Sequence, residues 1–418
     1  MEVNNIPKHW KAVKVSEIGV LIRGVNYKKE ESTNAPADNY LPILRGNNIN
    51  GELNYDDLVY VKKKNISDTQ LVKKGDIVFA MSSGSKHLVG KSAKARSDFY
   101  GGFGAFCGVF RANVNVNKDF VAYFFQSPYY KKIISEISKG TNINNLKREH
   151  ILDLDFPSPP LTEQLSIVSK IEELLSDLEN GKQQLQLAQQ QLKVYRQSLL
   201  KWAFEGKLTK ENVEVGELPK GWKIVELKDV ANKITDGEHF RPKVQDNGIP
   251  FLSAKDVRDW GVSFNEPLYI SEDTAKKALG RCNPQRGDIL IVSRGATVGR
   301  MCIVNTDRQF CLLGSVILIK VKKIINPKLL NFILKSPIAN QKMITISGAT
   351  AQQAIYLRDI KYISIPLPPF EEQQEIVNEL ESKLTVCDKI EETIYQSLQQ
   401  AESLRQSILK KAFEGKLI

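Results

Sequence analysis

Pro159-Pro160-Leu161-Thr162-Glu163-Gln164 opens a run of about forty residues at helical period that closes on Glu205-Gly206-Lys207-Leu208. The run returns later in the chain, opened by Pro368-Pro369-Phe370-Glu371-Glu372-Gln373 and closed by Glu414-Gly415-Lys416-Leu417. Glu163 maps to Glu372, Gln164 to Gln373 and Glu205 to Glu414, each by a shift of 209 residues. A constant shift over about fifty residues means that neither copy has taken an insertion, so length is what these segments keep.

The apolar stripe of the first run is Val168, Ile171, Leu175, Leu178, Leu185, Ala188, Leu192, Tyr195, Leu199 and Trp202. In the second it is Val377, Leu380, Leu384, Cys387, Ile394, Ser397, Ala401, Leu404, Ile408 and then Lys411. Steps of three and four dominate, with one ten-residue step in each copy where a heptad register slips. A narrow apolar seam flanked by glutamines needs a partner helix, and the two copies are each other's obvious partner. A helix lying on its own globule is the other arrangement the pattern allows. Each helix starts after prolines that cannot continue a strand ladder (Pro157, Pro159 and Pro160; Pro366, Pro368 and Pro369). Thr162 is placed to cap, and Glu163 with Gln164 suits the positive helix end. Forty residues at about 1.5 Å each make a rod of roughly 60 Å.

The repeat extends into the segments between the helices. Pro7-Lys8-His9-Trp10-Lys11 answers Pro219-Lys220-Gly221-Trp222-Lys223, and Leu41-Pro42-Ile43-Leu44 answers Ile249-Pro250-Phe251-Leu252. Lys74-Gly75-Asp76-Ile77 answers Arg286-Gly287-Asp288-Ile289, and Gln126-Ser127-Pro128 answers Lys335-Ser336-Pro337. Here the shift wanders between 208 and 212, so a common scaffold carries loops of differing length. Short apolar strands are expected at 75–80, 108–111, 287–292 and 315–319, and helices over 119–126 and 327–335. Each globule should end in a strand, at 152–156 and at 362–365.

The expected fold is therefore α+β: two similar mixed α/β heads joined by two long helices that form an antiparallel coiled coil with a pseudo-two-fold internal repeat. The heads occupy residues 1–155 and 211–365, and the spacer helices 156–210 and 366–418.

Composition fits this reading. The 418 residues are too many for one core, and 42% hydrophobic with 26% charged residues is ordinary globular composition. No run of eighteen apolar residues occurs, and the start Met1-Glu2-Val3-Asn4-Asn5 is unlike a signal peptide, so no membrane span is expected. Five scattered cysteines (Cys107, Cys282, Cys302, Cys311 and Cys387) point to a reduced cytoplasmic setting. Net charge is +11, distributed as +7 on each head, +1 on the first helix and −4 on the second. Basic heads suit a polyanion such as nucleic acid, although a solvated lysine-rich surface would give the same count.

Taken together, these marks resemble the specificity subunits of type I restriction-modification systems, over the whole chain. They are Ile365 to Gln373 and its twin Phe156 to Gln164, the two Gly-Asp turns, Leu218-Pro219-Lys220-Gly221-Trp222, and Asp236-Gly237-Glu238-His239-Phe240-Arg241-Pro242. The resemblance implies two target recognition domains that read a bipartite, asymmetric double-stranded DNA site with an unread gap set by the helices. It implies two methyltransferase (M) subunits and two restriction (R) subunits as partners. S-adenosylmethionine, ATP and Mg would then be held on those partners and no cofactor by this chain. One departure is that the first head has Arg23-Gly24-Val25-Asn26-Tyr27 where the second has its Asp-Gly-x-His segment, so any role for His239 is not duplicated.

The residues themselves carry no catalytic constellation. Gly84 to Ser92 approaches a phosphate-binding loop but has five residues between its glycines where four are required. A basic turn facing DNA phosphates or a solvated hairpin are its other readings. An adenine methyltransferase needs Asn or Asp before Pro-Pro-aromatic, and Leu367-Pro368-Pro369-Phe370 offers leucine. His9, His87, His150 and His239 have no ligand spacing. A non-catalytic chain is expected, with a two-headed coiled-coil scaffold lacking sequence-specific DNA recognition as the alternative.

Base reading calls for Arg, Lys, Asn, Gln and Ser on loops that reach groove edges. In the first head the candidates are Arg45, Asn47, Asn48, Ser82, Ser83, Lys86, Thr141, Asn142 and Asn144. In the second they are His239, Arg241, Lys255, Arg294, Thr350, Gln352 and Gln353. Gly140 to Asn145 and Gly348 to Gln353 hold equivalent places and differ in side chain, as two heads reading different half-sites should.

Overall fold

The computed structural model of the chain describes residues 6–83, 88–139, 145–210, 213–214, 216–240, 242–346 and 354–418. Contacts divide the chain into two units, Met1–Leu185 with Tyr395–Ile418, and Gln186–Ile394. The division falls inside each of two long helices, Leu161–Glu205 (45 residues) and Phe370–Phe413 (44 residues). No described helix is long and apolar enough to cross a membrane.

The first unit contains β1 (Lys11–Lys14), β2 (Gly19–Arg23), β3 (Ser32–Thr33), β4 (Tyr40–Leu44), β5 (Val59–Lys62), β6 (Ile77–Ala80), β7 (Ser92–Lys94), β8 (Gly102–Phe103), β9 (Cys107–Ala112) and β10 (Asp155–Ser158). They form a sheet of order β2-β9-β6-β7, a second of order β3-β5-β4-β8 and the ribbon β1-β10. The second unit contains β11 (Lys223–Glu226), β12 (Ala231–Asp236), β13 (Ile249–Leu252), β14 (Val257–Arg258), β15 (Gly261–Val262), β16 (Leu268–Ile270), β17 (Ile289–Val292), β18 (Met301–Ile303), β19 (Cys311–Leu312), β20 (Val316–Val321) and β21 (Ser364–Leu367). Its orders β12-β20-β17-β18, β16-β13-β19 and β11-β21 repeat those of the first unit, with β14-β15 as a further hairpin and a single antiparallel bridge, Gln245 to Tyr269, where the short β3 pairs with β5 in the first.

The Gly-Asp repeat is a turn. Gly75 and Gly287 hold φ of +89° and +90°, a region that costs a residue with a side chain. Asp76 accepts from the Lys73 amide (2.8 Å) and pairs with Arg111 on β9 through Nε and Nη2 (2.8 and 2.6 Å). Asp288 accepts from the Gln285 amide (2.8 Å) and from Lys320 Nζ on β20 (2.7 Å). Each carboxylate thus closes the turn that launches β6 or β17 and ties it to the neighbouring strand.

The Glu-Gln pairs that open the long helices do similar joining. Glu163 accepts from the Trp10 indole (2.9 Å) and contacts His9 Nε2 (3.0 Å), while Glu372 accepts from Trp222 (3.2 Å) and Thr209 (3.1 Å). Gln164, buried, accepts from the Asn117 amide (2.9 Å) and donates to Pro159 O (2.9 Å). Gln373 accepts from Asn326 N (2.7 Å) and donates to Ile324 O and Pro368 O (3.0 Å each). Asn117 and Asn326 cap the helices Lys118–Phe124 and Pro327–Lys335, so each glutamine locks a head helix to a long one. Both helices begin before Thr162 or its counterpart, which corrects the expected cap: Thr162 lies within the first turn, and its carbonyl accepts from Ser166 Oγ.

The helix halves pair within each unit. Ile167, Val168 and Ile171 share the first core with Ile408, Leu409 and Phe413, and with the rings of Phe120, Phe124 and Phe156. In the second unit Leu192, Leu199 and Ala203 share a core with Ile376, Val377 and Leu380, and Arg196 reaches Asp388 (2.7 Å) and Glu391 (2.9 Å). The start of one helix meets the end of the other in both, so the pairing is antiparallel. The seam departs from the expected stripe late in each copy: Tyr195, Trp202 and Leu404 are exposed, and Ala203 and Ala412 are buried instead. A straight helix drifts against a strict heptad, and the seam follows the 3.6-residue turn.

The closing strands also shift. They are β10 and β21, preceded by helical turns at Glu149–Leu152 and Leu357–Ile360. Pro157 and Pro366 sit inside them, opposite Ala12 and Ile224. A two-stranded ribbon leaves each strand an open edge, where proline's missing N–H is tolerated.

Candidate nucleic-acid interface

In the first head, four strands end at one edge. Leu44 at the end of β4 accepts from Gly104 N (2.8 Å), and Val25 just beyond β2 donates to Phe103 O (2.7 Å). Past β6, Met81 N and Ser82 N both donate to Phe106 O (2.9 and 3.1 Å), and Leu146 N donates to Met81 O (2.7 Å). Ser82 bridges to Asn145, at the exit of the 140–144 loop. Gly24 is required here, because a Cβ would sit 2.0 Å from Gly104 O.

The candidates divide by what they touch. Asn47 is exposed in the middle of the 3-10 turn Gly46–Asn48. Asn48 is buried, with its amide committed to Arg45 N (2.8 Å) and Asp56 O (2.9 Å), so it shapes the turn and presents nothing outward. Arg45 Nη2 reaches Asp57 O (2.8 Å) and the exposed Asp57 carboxylate (3.2 Å), a surface pair that ligand phosphates could replace. Ser82 and Ser83 are half-buried. Lys86, Thr141, Asn142 and Asn144 lie outside the described residues.

The second head builds the same edge. Leu313 N donates to Leu252 O (2.8 Å), Glu238 N to Leu312 O (2.8 Å), and Gly314 N to Glu238 O (2.7 Å). Ser293 N donates to Ser315 O (2.8 Å) and Ile355 N to Ser293 O (2.9 Å), while Arg294 bridges to Ala354 at the exit of the 347–353 loop. Gly237 corresponds to Gly24, since its Cβ would lie 2.0 Å from Leu312 O. This close approach is the shared reason for glycine in two segments that otherwise differ.

Lys255 is exposed in the turn Ala254–Asp256, the counterpart of Asn47, with Nζ donating to Glu266 O (3.1 Å). Buried Asp256 closes that turn by accepting from Ser253 N (2.8 Å), as Asn48 does in the first head. Arg294 is exposed and forms no ion pair with a described residue. His239 Nε2 lies 3.2 Å from Asp236 Oδ2 and 3.0 Å from Arg281 Nη2, which itself holds Asp236 Oδ1 at 2.6 Å. The Asp236 hydrogen bond raises the Arg281 pKa, so this arginine stays charged beside the imidazole. Arg241, Thr350, Gln352 and Gln353 lie outside the described residues.

The glycine-rich segment does not build a phosphate cradle where it is described. Ser92 Oγ is buried against Phe125 O (2.9 Å), and Lys91 Nζ donates to Asn50 Oδ1 (3.0 Å). Lys91 lines a cleft of about 1570 Å³ in the first unit with Lys94, Arg96, Lys131, Glu172 and Arg405, a wall of mixed charge. All five thiols are buried, and burial pushes those of Cys107, Cys282 and Cys302 up to about 12. Those three are poor nucleophiles at neutral pH. Among the described residues no three His, Cys, Asp or Glu side chains group as metal ligands. What the two edges offer is polar and cationic side chains on rigid strand ends, different in each head.

The sequence pattern of the type I restriction modification DNA specificity domain matches twice, over residues 7–188 and 219–400. The type I restriction enzyme EcoKI specificity subunit of Escherichia coli K12 is 34% identical over all of this chain and 91% of its own length. The StySPI specificity subunit of Salmonella potsdam is likewise 34% identical, with the same coverage. Among solved structures, a chain described under complex assembly and conformational transition of the type I R-M system superposes with a TM-score of 0.75 at 21% identity, over 98% of this chain and 99% of that one. The HsdS subunit from Thermoanaerobacter tengcongensis gives 0.59 at 21%, over 98% of each. These two likenesses speak for the fold.

Proposed function

Because the chain belongs to the type I restriction-modification DNA specificity family, we propose that each of its two edges reads one half of a bipartite, asymmetric double-stranded DNA site. The observation that carries this is the pair of equivalent edges: one scaffold, held by the same backbone bonds, delivers Arg45, Asn47, Ser82 and Ser83 in one head and His239, Lys255 and Arg294 in the other. Amide, hydroxyl and cationic side chains are the groups that match donors and acceptors along the major groove. Charge of +7 on each head supplies the sequence-independent phosphate attraction. The loops 140–144 and 347–353 lie in sequence next to the residues that bridge to Ser82 and Arg294, and would complete each reading surface.

Methylation and cleavage then fall to partners: two methyltransferase subunits holding S-adenosylmethionine and two restriction subunits using ATP and Mg. Leu367 in place of the Asn or Asp of an adenine methyltransferase motif supports that division. The long helices set the unread gap. Deleting Gln184 to Gln190 and Thr393 to Gln399, two turns from each helix, removes about 10 Å of rise while nearly keeping the seam in register. The gap should shorten by roughly three base pairs.

Sequencing methylated adenines in a genome that carries the chain with its methyltransferase partner tests the reading. A two-part asymmetric motif is expected, its gap shortened by the paired deletion. Methylation without a sequence motif would overturn the proposal, and an unchanged gap would overturn the spacer role.

A further inference from the structure

Each edge carries a phenylalanine held out into solvent. Phe106 is 69% exposed and Phe240 84% exposed, and neither joins a hydrophobic cluster. Their backbones are not slack. Phe106 O accepts from both Met81 N and Ser82 N, and Cys107 N closes the same turn on Gly104 O (2.8 Å). Phe240 follows His239, which is fixed by Asp236 and Arg281 and sits so close to Gly314 that a Cβ there would lie 2.8 Å from Nδ1.

The two phenylalanines occupy different positions on the shared scaffold. Phe106 corresponds to Ser315, since Met81 N and Ser293 N make the same bond to their carbonyls. Phe240 corresponds to Tyr27, which is half-buried against the cluster of Val25, Ile43 and Val61. A side chain kept for the scaffold would recur at one position in both heads and be covered. Here the two exposed phenylalanines lie on different loops of the shared scaffold, each among the polar candidates.

We infer that Phe106 and Phe240 make the apolar base contact of their respective half-sites, an inference that rests on the reading of each edge as a DNA-recognition surface. A phenyl ring cannot read a donor or acceptor, but it can pack on a thymine methyl or against a base step. Placed at non-equivalent points of the two edges, it would impose that contact at a different base position in each half-site. Ser315 and Tyr27 leave the corresponding places to polar or structural use.

The test uses the full chain assembled with its methyltransferase partner, and duplexes carrying the site found by methylome sequencing. Phe106→Ala should weaken cognate binding roughly tenfold to a hundredfold and relax base preference in one half-site only. Phe240→Ala should do the same in the other half. Affinity for random duplex and the salt slope should hold, because no phosphate contact is lost. Phe106→Leu should retain most of the preference, and uracil in place of thymine should reproduce the loss if a methyl is the target but not if a base step is. The inference is overturned if wild-type protein is sequence-specific and both alanine variants keep its preference. It is also overturned if they lose assembly with the partner instead, which would make the rings protein contacts. Wild-type protein with no preference would remove the DNA reading itself, a distinct result.

Discussion

Gln373 is the most heavily bonded side chain at either helix opening, and its replacement tests the joint quantitatively. Its oxygen accepts from Asn326 N and its nitrogen donates to Ile324 O and Pro368 O, all at 3.0 Å or less, in a site only 1% exposed. Gln373→Leu keeps the bulk and strands one amide and two carbonyls, which costs about 3 kcal/mol; Gln164→Leu, with two bonds, costs about 2 kcal/mol. Gln373→Glu is sharper. Its carboxylate can still accept from Asn326 but would face two carbonyl oxygens, so the folded state favours the protonated acid and raises its pKa above the unfolded value of about 4.3. A raised folded pKa gives stability that is present below the unfolded value and lost as pH rises through the folded one. The variant should therefore approach wild type in acid and weaken toward neutrality. Hydrogen-exchange mass spectrometry of peptides covering 322–335 reads this directly, with 113–125 in the other unit as the internal control. If Gln373→Leu left exchange at Asn326 unchanged, or Gln373→Glu showed no pH dependence, the joint would not be the anchor argued here.

Asp76→Ala, which strips a side chain 3% exposed of its bonds to Arg111 and Lys73 N, should cost about 3 kcal/mol and speed exchange in β6 and β9. Gly206→Ala should cost about 2 kcal/mol or more by urea melting, since φ is +74° and a Cβ would lie 2.2 Å from Pro219 Cγ. Arg286–Asp307 offers a contrast. The Arg286 hydrogen bond lowers the Asp307 pKa, yet both groups are exposed, and Asp307→Asn should leave the melting temperature within scatter between pH 3 and pH 7.

Much of this architecture is written in the chain because it is written twice. The shift of 209 residues marks the long helices, and the repeated motifs each serve the structure: Asp76 and Asp288 close turns, and Gln164 and Gln373 clamp caps. Side-chain direction is less legible. Tyr195 and Trp202 fit a heptad stripe, but the 3.6-residue helical turn carries them outward, where they meet edge to face at 6.4 Å. Asn48 has the composition of a reading residue, an asparagine in a polar loop. Only the fold shows its amide turned inward. Conversely, Phe106 and Phe240 escape any reading that seeks polar side chains. For Phe106 the signal is an aromatic residue whose counterpart, Ser315, is polar; for Phe240 it is exposure where the aromatic counterpart, Tyr27, is half-buried, and both need the strand alignment that the hydrogen bonds provide.

The division between what the heads share and what they vary follows from where each hydrogen bond points. In the turn after β4, Asn48 uses both ends of its amide, accepting from Arg45 N and donating to Asp56 O. In the turn after β13, Asp256 accepts from both Ser253 N and Ser253 Oγ, at 2.8 and 3.2 Å. The two closing side chains differ in what they require: aspartate at 48 would lose the donation to Asp56 O, whereas Asp256 makes both bonds through Oδ2 and needs only an acceptor there. The outward positions, Asn47 and Lys255, do not close the turn; Lys255 makes only an exposed contact to Glu266 O (3.1 Å). The exposed residues can therefore diverge between heads while different chemistry closes the two equivalent 3-10 turns. If these positions read bases as proposed, exchanging Asn47 and Lys255 between heads should transfer preference at one base position, and methylome sequencing of the exchanged chain checks it; an unchanged motif would refute the role of these two side chains.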